Sequence, residues 1–249
     1  EDYCSQFNMT VRRITAGKFS KTPSPCRKFS KTPSKSCSAS ALMSKVAHAP
    51  TAAFTQICIA SVSIPICRLK TKALSVLNGF LPKDIAVKSC REVSLDFHPR
   101  YNTVSKEYIY KIYNGEPRDA FLSDYALYYH PHIDAEYLNA EAKAFIGKHD
   151  FSGFCSIKSD VEDTVRTVKN FEVYRDGDTV IFKVEADGFL YNMVRIMIGT
   201  LLFVNEGKIK SGELADVINS KSRKRAGKTA PPQGLYLNKV NYGDIQNAD

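Results

Sequence analysis

The segment TVRTVKNFEVYRDGDTVIFKVEADGFLYNMVRIMIGTLLFV, Thr164–Val204, has the clearest structural pattern in the chain. Apolar residues alternate with polar ones on both sides of Asp176-Gly177-Asp178. This pattern predicts a β-hairpin with strands at Thr164–Tyr174 and Thr179–Ala186. The strongly apolar stretch Tyr191–Val204 predicts a helix. A hairpin followed by a helix is typical of an α+β domain.

The flanking sequence extends the pattern in both directions. Further strands are predicted at Ile85–Cys90, Tyr108–Tyr113 and Leu235–Tyr242, and helices at Ala135–Phe145 and Ser211–Ser220, with a helical end in 74–85 that breaks at Gly79. The expected fold class is therefore α+β, an antiparallel sheet with helices packed on one face.

Composition divides the chain near residue 73. Residues 1–72 hold 12 Lys/Arg and 2 Asp/Glu, whereas the remainder holds 23 and 24. The whole net charge of +9 therefore comes from the first segment. The heptapeptide KFSKTPS occurs twice there, at Lys18–Ser24 and Lys28–Ser34, and neither helical nor strand periodicity persists. Such a segment is typical of a disordered basic tail, and its charge favours an anionic partner such as nucleic acid.

Cysteine use and hydropathy narrow the class of protein further. Five of the seven cysteines lie in 1–72, and their spacing is irregular. This pattern argues against a disulfide framework and a zinc site, and it favours a reducing, cytoplasmic setting. No run reaches the roughly 18 uninterrupted apolar residues of a membrane helix, so no membrane association is expected.

The segment FHPRYNTVSKEYIYKIYN, Phe97–Asn114, is the first candidate for a site. It combines Arg100 and Lys106 with a series of tyrosines. The two-residue repeat of a strand places Tyr108 and Tyr110 on one face, so one ring could line a site while the other supports it. From spacing alone, a strand with ordinary core or surface aromatics is the favoured interpretation.

Arg195 is the second candidate, because it lies within an otherwise apolar helix. A lone arginine in such a helix must extend its head to water, pair with a carboxylate or meet a phosphate. A buried cation next to a carboxylate would hold that carboxylate ionised. An arginine at the helix edge with its head in water is an equal alternative.

Two polar clusters complete the candidates. In GKHDFSGF, Gly147–Phe154, the structural interpretation is favoured: Asp150 is predicted to cap the following turn, and His149 has no second histidine at metal-ligand spacing. The segment KSRKRAGKTAPPQGLYL, 221–237, carries five Lys/Arg beside Pro231-Pro232. It is either an RNA-facing loop or a solvated one.

Several pieces, in this order and at this spacing, are similar to the TruA family of tRNA pseudouridine synthases: LNGFLPKDI, DFHPRY, KEYIYKIYN, GKHDFSGF, GFLYNMVRIMIG and QGLYL. The resemblance implies a pseudouridine synthase fold and isomerisation of uridine in the anticodon stem-loop of tRNA. It further implies no cofactor, no metal and a homodimer. In these terms 73–140 is the remnant of the N-terminal catalytic half, and 141–249 is the C-terminal domain.

The resemblance also implies roles for individual residues. Tyr108 would stack on the target base, since an aromatic face compensates for the stacking that is lost when a base flips. Arg195 would pair with the nucleophilic aspartate of the family. Leu235 would pack the pocket, and Arg100, in DFHPRY, would support the site.

One element of the family is missing. Its nucleophile loop, Arg-Thr-Asp-x-Gly-Val-His, is expected near 45–55, where this chain has KVAHAPTAAFT. There is no aspartate between Asp2 and Asp84, and the tryptophan of the family's opening strand is absent. The chain as written is therefore expected to be inactive.

A shifted reading frame accounts for this departure. If the codons of HAPTAAFT, 48–55, are regrouped from the third base of the His48 codon, they can encode Arg-Thr-Asp-Ser-Gly-Val-His. The same shift applied to 3–19 permits the opening strand of the family, with its Tyr-Asp-Gly and Gly-Trp-Gln. We therefore interpret 1–72 as an out-of-frame translation of an ordinary N-terminal half.

Two alternatives stay open. The chain could be a non-catalytic RNA-binding remnant with a genuine basic tail, which would bind tRNA with a steep salt dependence. It could also be an unrelated α+β protein with a disordered basic arm, in which case the ordered set of motifs is accidental.

Overall fold

The computed structural model describes residues 4–13, 45–46, 55–65, 78–79, 85–93, 97–99, 101–156 and 163–243. The chain divides into two compact units. The first unit comprises 1–49, 55–104 and 241–249, and the second comprises 50–54 and 105–240. No helix within the described ranges is long and apolar enough to cross a bilayer.

The first unit is built on strands β1 (Cys4–Arg13), β2 (Lys45–Val46), β3 (Thr55–Pro65) and β4 (Ile85–Val93). Strand β1 pairs antiparallel with β3 on one side and with β4 on the other, and the register to β4 shifts at Thr10/Val11. Strand β4 confirms the one predicted at Ile85–Cys90.

Within 1–72, which was predicted to be disordered or non-native, the structure describes strands β1, β2 and β3. Strand β3 is rich in β-branched residues, which favour an extended backbone: Ile57, Ile59, Val62 and Ile64. The rest of 1–72 lies outside the described residues.

The motif LNGFLPKDI is joined to β4 through Asn78. Its Nδ2 donates to the carbonyl oxygen of Val87 (3.0 Å), and its Oδ1 accepts from the amide of Val87 (2.7 Å). The side chain thus imitates a neighbouring strand. Asn78 and Gly79 are helical. The other residues of 74–84, where a helical end was predicted, lie outside the described residues.

The second unit contains a sheet in the order β10-β5-β9-β8-β7. Its strands are β5 (Ser105–Tyr113), β6 (Leu127–Tyr128), β7 (Gly147–Asp150), β8 (Val165–Asp176), β9 (Thr179–Ala186) and β10 (Leu235–Asn241), and its helices are α1 (Ala135–Ala142), α2 (Met193–Asn205) and α3 (Leu214–Asn219). Strands β5, β9, β8 and β7 pair antiparallel in that order, while the short β6 is parallel to β5.

The two faces of this sheet differ in character. On one face Tyr108, Tyr110 and Ile112 of β5 lie opposite Val184, Phe182 and Val180 of β9, and all six are buried. Helix α2 is almost wholly buried, and Asn139 of α1 accepts a hydrogen bond from the amide of Val173 in β8 (3.0 Å). On the other face Lys183 lies 3.5 Å from Glu107 and 3.6 Å from Glu172. The α+β class with helices on one face is confirmed.

The predicted elements of this unit are present with shifted ends. The hairpin turns at Gly177, whose φ of 57° suits glycine, and the predicted helix at Ala135–Phe145 is α1 followed by a 3-10 turn. Strand β7 was not predicted. It occupies part of GKHDFSGF and pairs with Val165–Val168 of β8.

Candidate functional site

Tyr108 lies on β5 in the position that its spacing predicts. Its side chain is 8% exposed, and its ring meets that of Phe189 edge to face at 5.0 Å between centroids. Burial raises the pKa of Tyr108 to about 12, so the phenol is neutral at physiological pH. Tyr108 and Phe189 therefore form a neutral, largely buried aromatic pair.

Tyr110, two residues further along β5, has a different environment. It is fully buried, and its hydroxyl donates to the carbonyl oxygen of Pro231 (2.7 Å). Burial raises its pKa well above the usual range. Tyr110 therefore fixes the loop that precedes β10 to strand β5.

Arg195 lies in the first turn of α2 and is half-buried. Its Nε donates to the carbonyl oxygen of Ala230 (2.6 Å), and its Nη1 donates to Oδ1 of Asn192 (2.9 Å). Asn192 adopts a left-handed backbone conformation with φ of 61° at the start of the helix. The amide of Ala230 in turn donates to the carbonyl oxygen of Arg195 (3.0 Å). The guanidinium is thus fixed by backbone and amide oxygens.

No carboxylate lies within ion-pair distance of Arg195 in the part of the chain that the structure describes, and its Nη2 has no hydrogen-bond partner there. Burial lowers the pKa of the guanidinium. A partly buried cation without an anion is unfavourable unless an anion joins it. The arrangement is suited to receive a carboxylate or a phosphate.

The loop that supplies Ala230 packs tightly on α2. A Cβ on Gly227 would lie 2.3 Å from the carbonyl oxygen of Gly199, and the amide of Gly227 donates to Oγ1 of Thr200 (2.9 Å). Further along, a Cβ on Gly234 would lie 3.0 Å from the Tyr110 ring. Only glycine permits these approaches.

The structure describes one of the two remaining predicted site residues, Leu235, but not Arg100. Leu235 is the first residue of β10, directly after Gly234, and is 6% exposed. Arg100 lies outside the described residues. Tyr113, the last tyrosine of the series on β5, is half-buried and donates its hydroxyl to the carbonyl oxygen of Pro117 (3.2 Å).

The cluster in GKHDFSGF has structural contacts. Asp150 accepts from the amide of Ser152 (3.0 Å), as its predicted capping role requires, and from Oγ1 of Thr164 (2.6 Å). Its other oxygen lies 2.9 Å from Nζ of Lys221. His149 places Nε2 3.1 Å from the carbonyl oxygen of Ile146. Within the described ranges no three His, Cys, Asp or Glu side chains gather as metal ligands would.

Sequence reasoning missed three groups that shape this site: Phe189, Asn192 and Ala230. Phe189 and Asn192 both stand in GFLYNMVRIMIG, and the motif was the available signal for them. Ala230 contributes only its backbone, and a carbonyl oxygen leaves no mark on a sequence.

The chain is similar in sequence to a group of known proteins. A sequence profile described as tRNA pseudouridine synthase matches residues 142–243. The chain is 40% identical over 189 residues to the tRNA pseudouridine synthase A of Halalkalibacterium halodurans. This alignment covers 75% of this chain and 70% of that protein. It is 45% identical over 166 residues to the protein of that name from Acetivibrio thermocellus, covering 67% of this chain and 68% of the other. For the one from Anoxybacillus flavithermus the identity is 44% over 167 residues, with 67% of each chain covered.

Proposed function

The chain belongs to the tRNA pseudouridine synthase A family, an isomerase family, and from this premise we propose that its intact form isomerises uridine in the anticodon stem-loop of tRNA. The contacts of Arg195 carry the proposal. The guanidinium is half-buried and held by Ala230 and Asn192, while its Nη2 has no partner within the described ranges. This is a site prepared for an anion.

In this proposal the anion at Arg195 is the carboxylate of the family's nucleophilic aspartate. A carboxylate must be ionised to attack, and a neighbouring guanidinium keeps its pKa low. Burial strengthens the attraction, because the local dielectric constant is lower than that of water. The fixed position of Arg195 would orient the carboxylate without further rearrangement.

Tyr108 is the proposed platform for the flipped base. Its neutral, apolar ring is bounded by Phe189 and would replace the stacking that the base loses outside the RNA helix. Leu235 would close the pocket, and Arg100 would support it. Since the reaction rearranges bonds within one nucleotide and has no net redox change, no cofactor is required.

We further propose that the chain as written is inactive, because it has no aspartate between Asp2 and Asp84. The frame shift that regenerates Arg-Thr-Asp in 48–55 supplies a cause. The alignments to relatives support it too, since they cover only 67% to 75% of this chain and concern its C-terminal two-thirds. The proposed setting of the intact enzyme is the cytoplasm, as a homodimer with tRNA as its substrate.

Tritium release from tRNA that carries uridine labelled at C5 tests the proposal, because isomerisation exchanges that hydrogen. We expect no release by the chain as written. A gene in which the frame of 1–72 is restored should encode a chain that releases tritium. Turnover by the present chain at a rate near that of an intact relative would overturn the proposed inactivity.

A non-catalytic tRNA-binding remnant is the second candidate, and the net charge of +9, which lies wholly in 1–72, favours it. Under this alternative, deletion of 1–72 flattens the dependence of tRNA affinity on salt. Under the main proposal, the deletion should matter little for tRNA binding or improve solubility, because 1–72 is then not part of the native RNA-binding surface.

A further inference from the structure

We propose that Lys224, Arg225 and Lys228 form a surface that binds consecutive phosphates of the RNA backbone and anchors the tRNA next to the site. The identity of the anion rests on the proposed function. The surface itself rests on the charge, contacts and position of the loop 221–228.

Charge is concentrated in this loop although the surrounding chain is balanced. Residues 73–249 hold 23 basic and 24 acidic residues, yet 221–228 contains five cations and no acid. The loop thus has an excess of positive charge although the region as a whole has almost no net charge. It therefore produces a local positive potential that a polyanion can find.

The five cations divide into two groups. Lys221 and Arg223 serve the protein: Lys221 lies 2.9 Å from Asp150, and Arg223 donates through Nη1 to the carbonyl oxygen of Gly227 (2.8 Å). Lys224, Arg225 and Lys228 are exposed. Lys221 and Arg223 therefore make the contacts that shape the loop, although Lys221 is itself exposed. Among the other three, Arg225 makes one long contact, from Nη1 to the carbonyl oxygen of Asp216 (3.5 Å).

The loop is held on both sides. Gly227 lies against Gly199 and donates to Thr200, as described above. On the other side, a Cβ on Gly153 would lie 3.0 Å from the backbone of Lys221 and Ser222. A loop held in this way loses little conformational entropy when a ligand binds, so three charges on it contribute more to affinity than three on a flexible chain.

The position of the loop connects it with the site. Two residues after Lys228, the carbonyl oxygen of Ala230 accepts from Arg195, and that of Pro231 accepts from Tyr110. The same backbone that fixes the anion-ready guanidinium therefore presents the cations. An RNA that places one nucleotide at the site would bring neighbouring phosphates to this loop.

The distribution of the charges favours a nucleic-acid backbone over a small anion. A free phosphate is bound by several donors that converge on one point. Three exposed side chains spread along a loop suit a row of phosphates, where each lysine or arginine neutralises one charge and releases counterions.

The experiment compares tRNA binding by the full chain with binding by K224Q/R225Q/K228Q, using fluorescence anisotropy between 50 and 200 mM salt. With a slope of about 0.7 to 0.9 per phosphate contact, three lost contacts lower the salt slope by about 2 to 3. The ratio of wild-type to variant affinity should therefore shrink about 20- to 40-fold across that salt range.

Two matched controls sharpen the result. K169Q/K210Q/K239Q removes three exposed charges elsewhere in the same unit and should bind tRNA like the wild type with an unchanged slope. K224R/R225K/K228R keeps the charges of the loop and should also keep the slope. Circular dichroism spectra identical to that of the wild type would exclude misfolding of the variants.

Each outcome has a definite meaning. If K224Q/R225Q/K228Q and K169Q/K210Q/K239Q lose tRNA affinity equally, the proposed phosphate-binding surface is refuted. The proposed activity is not affected by this result, because it is measured separately by tritium release from the frame-restored chain. If the present chain fails to bind tRNA at all, the anchor is refuted as well. If the frame-restored chain is active but K224Q/R225Q/K228Q binds tRNA like the wild type, the proposed function stands and the proposed phosphate-binding surface is refuted.

Discussion

Residues 1–72 and residues 73–249 obey different rules of composition. The first region has six basic residues for every acidic one and five of the seven cysteines, whereas the second is balanced, with 23 basic and 24 acidic residues. Every family motif that the chain matches lies in the second region. This difference in composition is what the proposed frame shift predicts, because an out-of-frame segment is not selected for charge balance or cysteine content.

The comparison also separates two kinds of positive charge. The excess in 1–72 gives the chain its net charge of +9, but under the shifted-frame hypothesis it has no functional meaning. The small cluster in 221–228 is offset by acidic residues elsewhere in its region, which has 23 basic and 24 acidic residues, yet it lies on a loop fixed to the site. A regional inventory of charge is therefore more informative than the total.

The largest effect is expected from restoring the frame of 1–72. The restored chain should isomerise uridine in tRNA at least about 10⁴-fold faster than the chain as written, because loss of a covalent nucleophile commonly costs that much or more. Tritium release measures both rates. A restored chain whose new aspartate is replaced by asparagine is the matched control and should be as inactive as the present one.

One substitution in each region tests whether both regions contribute a packed core to the stability of the fold. Phe182→Ala, at a fully buried position of β9, should lower the free energy of unfolding by about 3–5 kcal/mol. Ile59→Ala, in β3, should lower it by less than about 1 kcal/mol, as at positions without an evolved core. Urea denaturation gives both values. Equal losses would show that 1–72 contributes a genuine core and would contradict the shifted frame.

The elements of the second unit were largely predictable because their sequence periods are clear. Strand β5 alternates over YIYKIY, and the hairpin has its turn at Gly177, where a positive φ is needed. Strand β7 was missed, since GKHD is polar and begins with a glycine. Its pairing with β8 depends on long-range backbone hydrogen bonds, which no local pattern records.

The site was predictable only in part. The resemblance to the family singled out Tyr108 and Arg195, and the structure shows what surrounds each of them. Periodicity alone could not have shown that the carbonyl oxygen of Ala230 holds Arg195, because residues 35 positions apart meet only in the folded chain. The roles of both side chains in catalysis stay predictions.

A smaller effect is expected from Arg195→Lys in the frame-restored chain. Lysine lacks the planar fork that donates to Ala230 and Asn192 from two separate nitrogens, and burial lowers the pKa of an ammonium group more readily than that of a guanidinium. The rate of isomerisation should fall about 10²-fold, which tritium release would detect. Arg118→Lys, at an exposed position, should retain the full rate. An active Arg195→Lys enzyme would refute the proposed pairing.

The smallest effect concerns Asp150, which supports the second region at the base of the 221–228 loop. The hydrogen bond from Thr164, followed by that from Lys221, holds the pKa of this carboxyl well below its usual value. A pKa that is lower in the folded protein means that the unfolded chain takes up the proton first. The carboxylate therefore stabilises the fold above pH 3.8, its unfolded value, and this contribution is lost as the pH falls further.

Asp150→Asn should accordingly cost about 1 kcal/mol at pH 7, because a neutral amide oxygen accepts more weakly from Thr164 and Ser152 and the contact with the largely exposed Lys221 is lost. The difference from wild type should stay constant between pH 7 and 5 and shrink below about pH 4 in urea denaturation. Asp176→Asn, in the exposed hairpin turn, should change stability by less than about 0.5 kcal/mol at every pH. A loss for Asp150→Asn that does not shrink in acid would mean that the charge of Asp150 is irrelevant. The order of the loop would then depend on its glycine contacts alone.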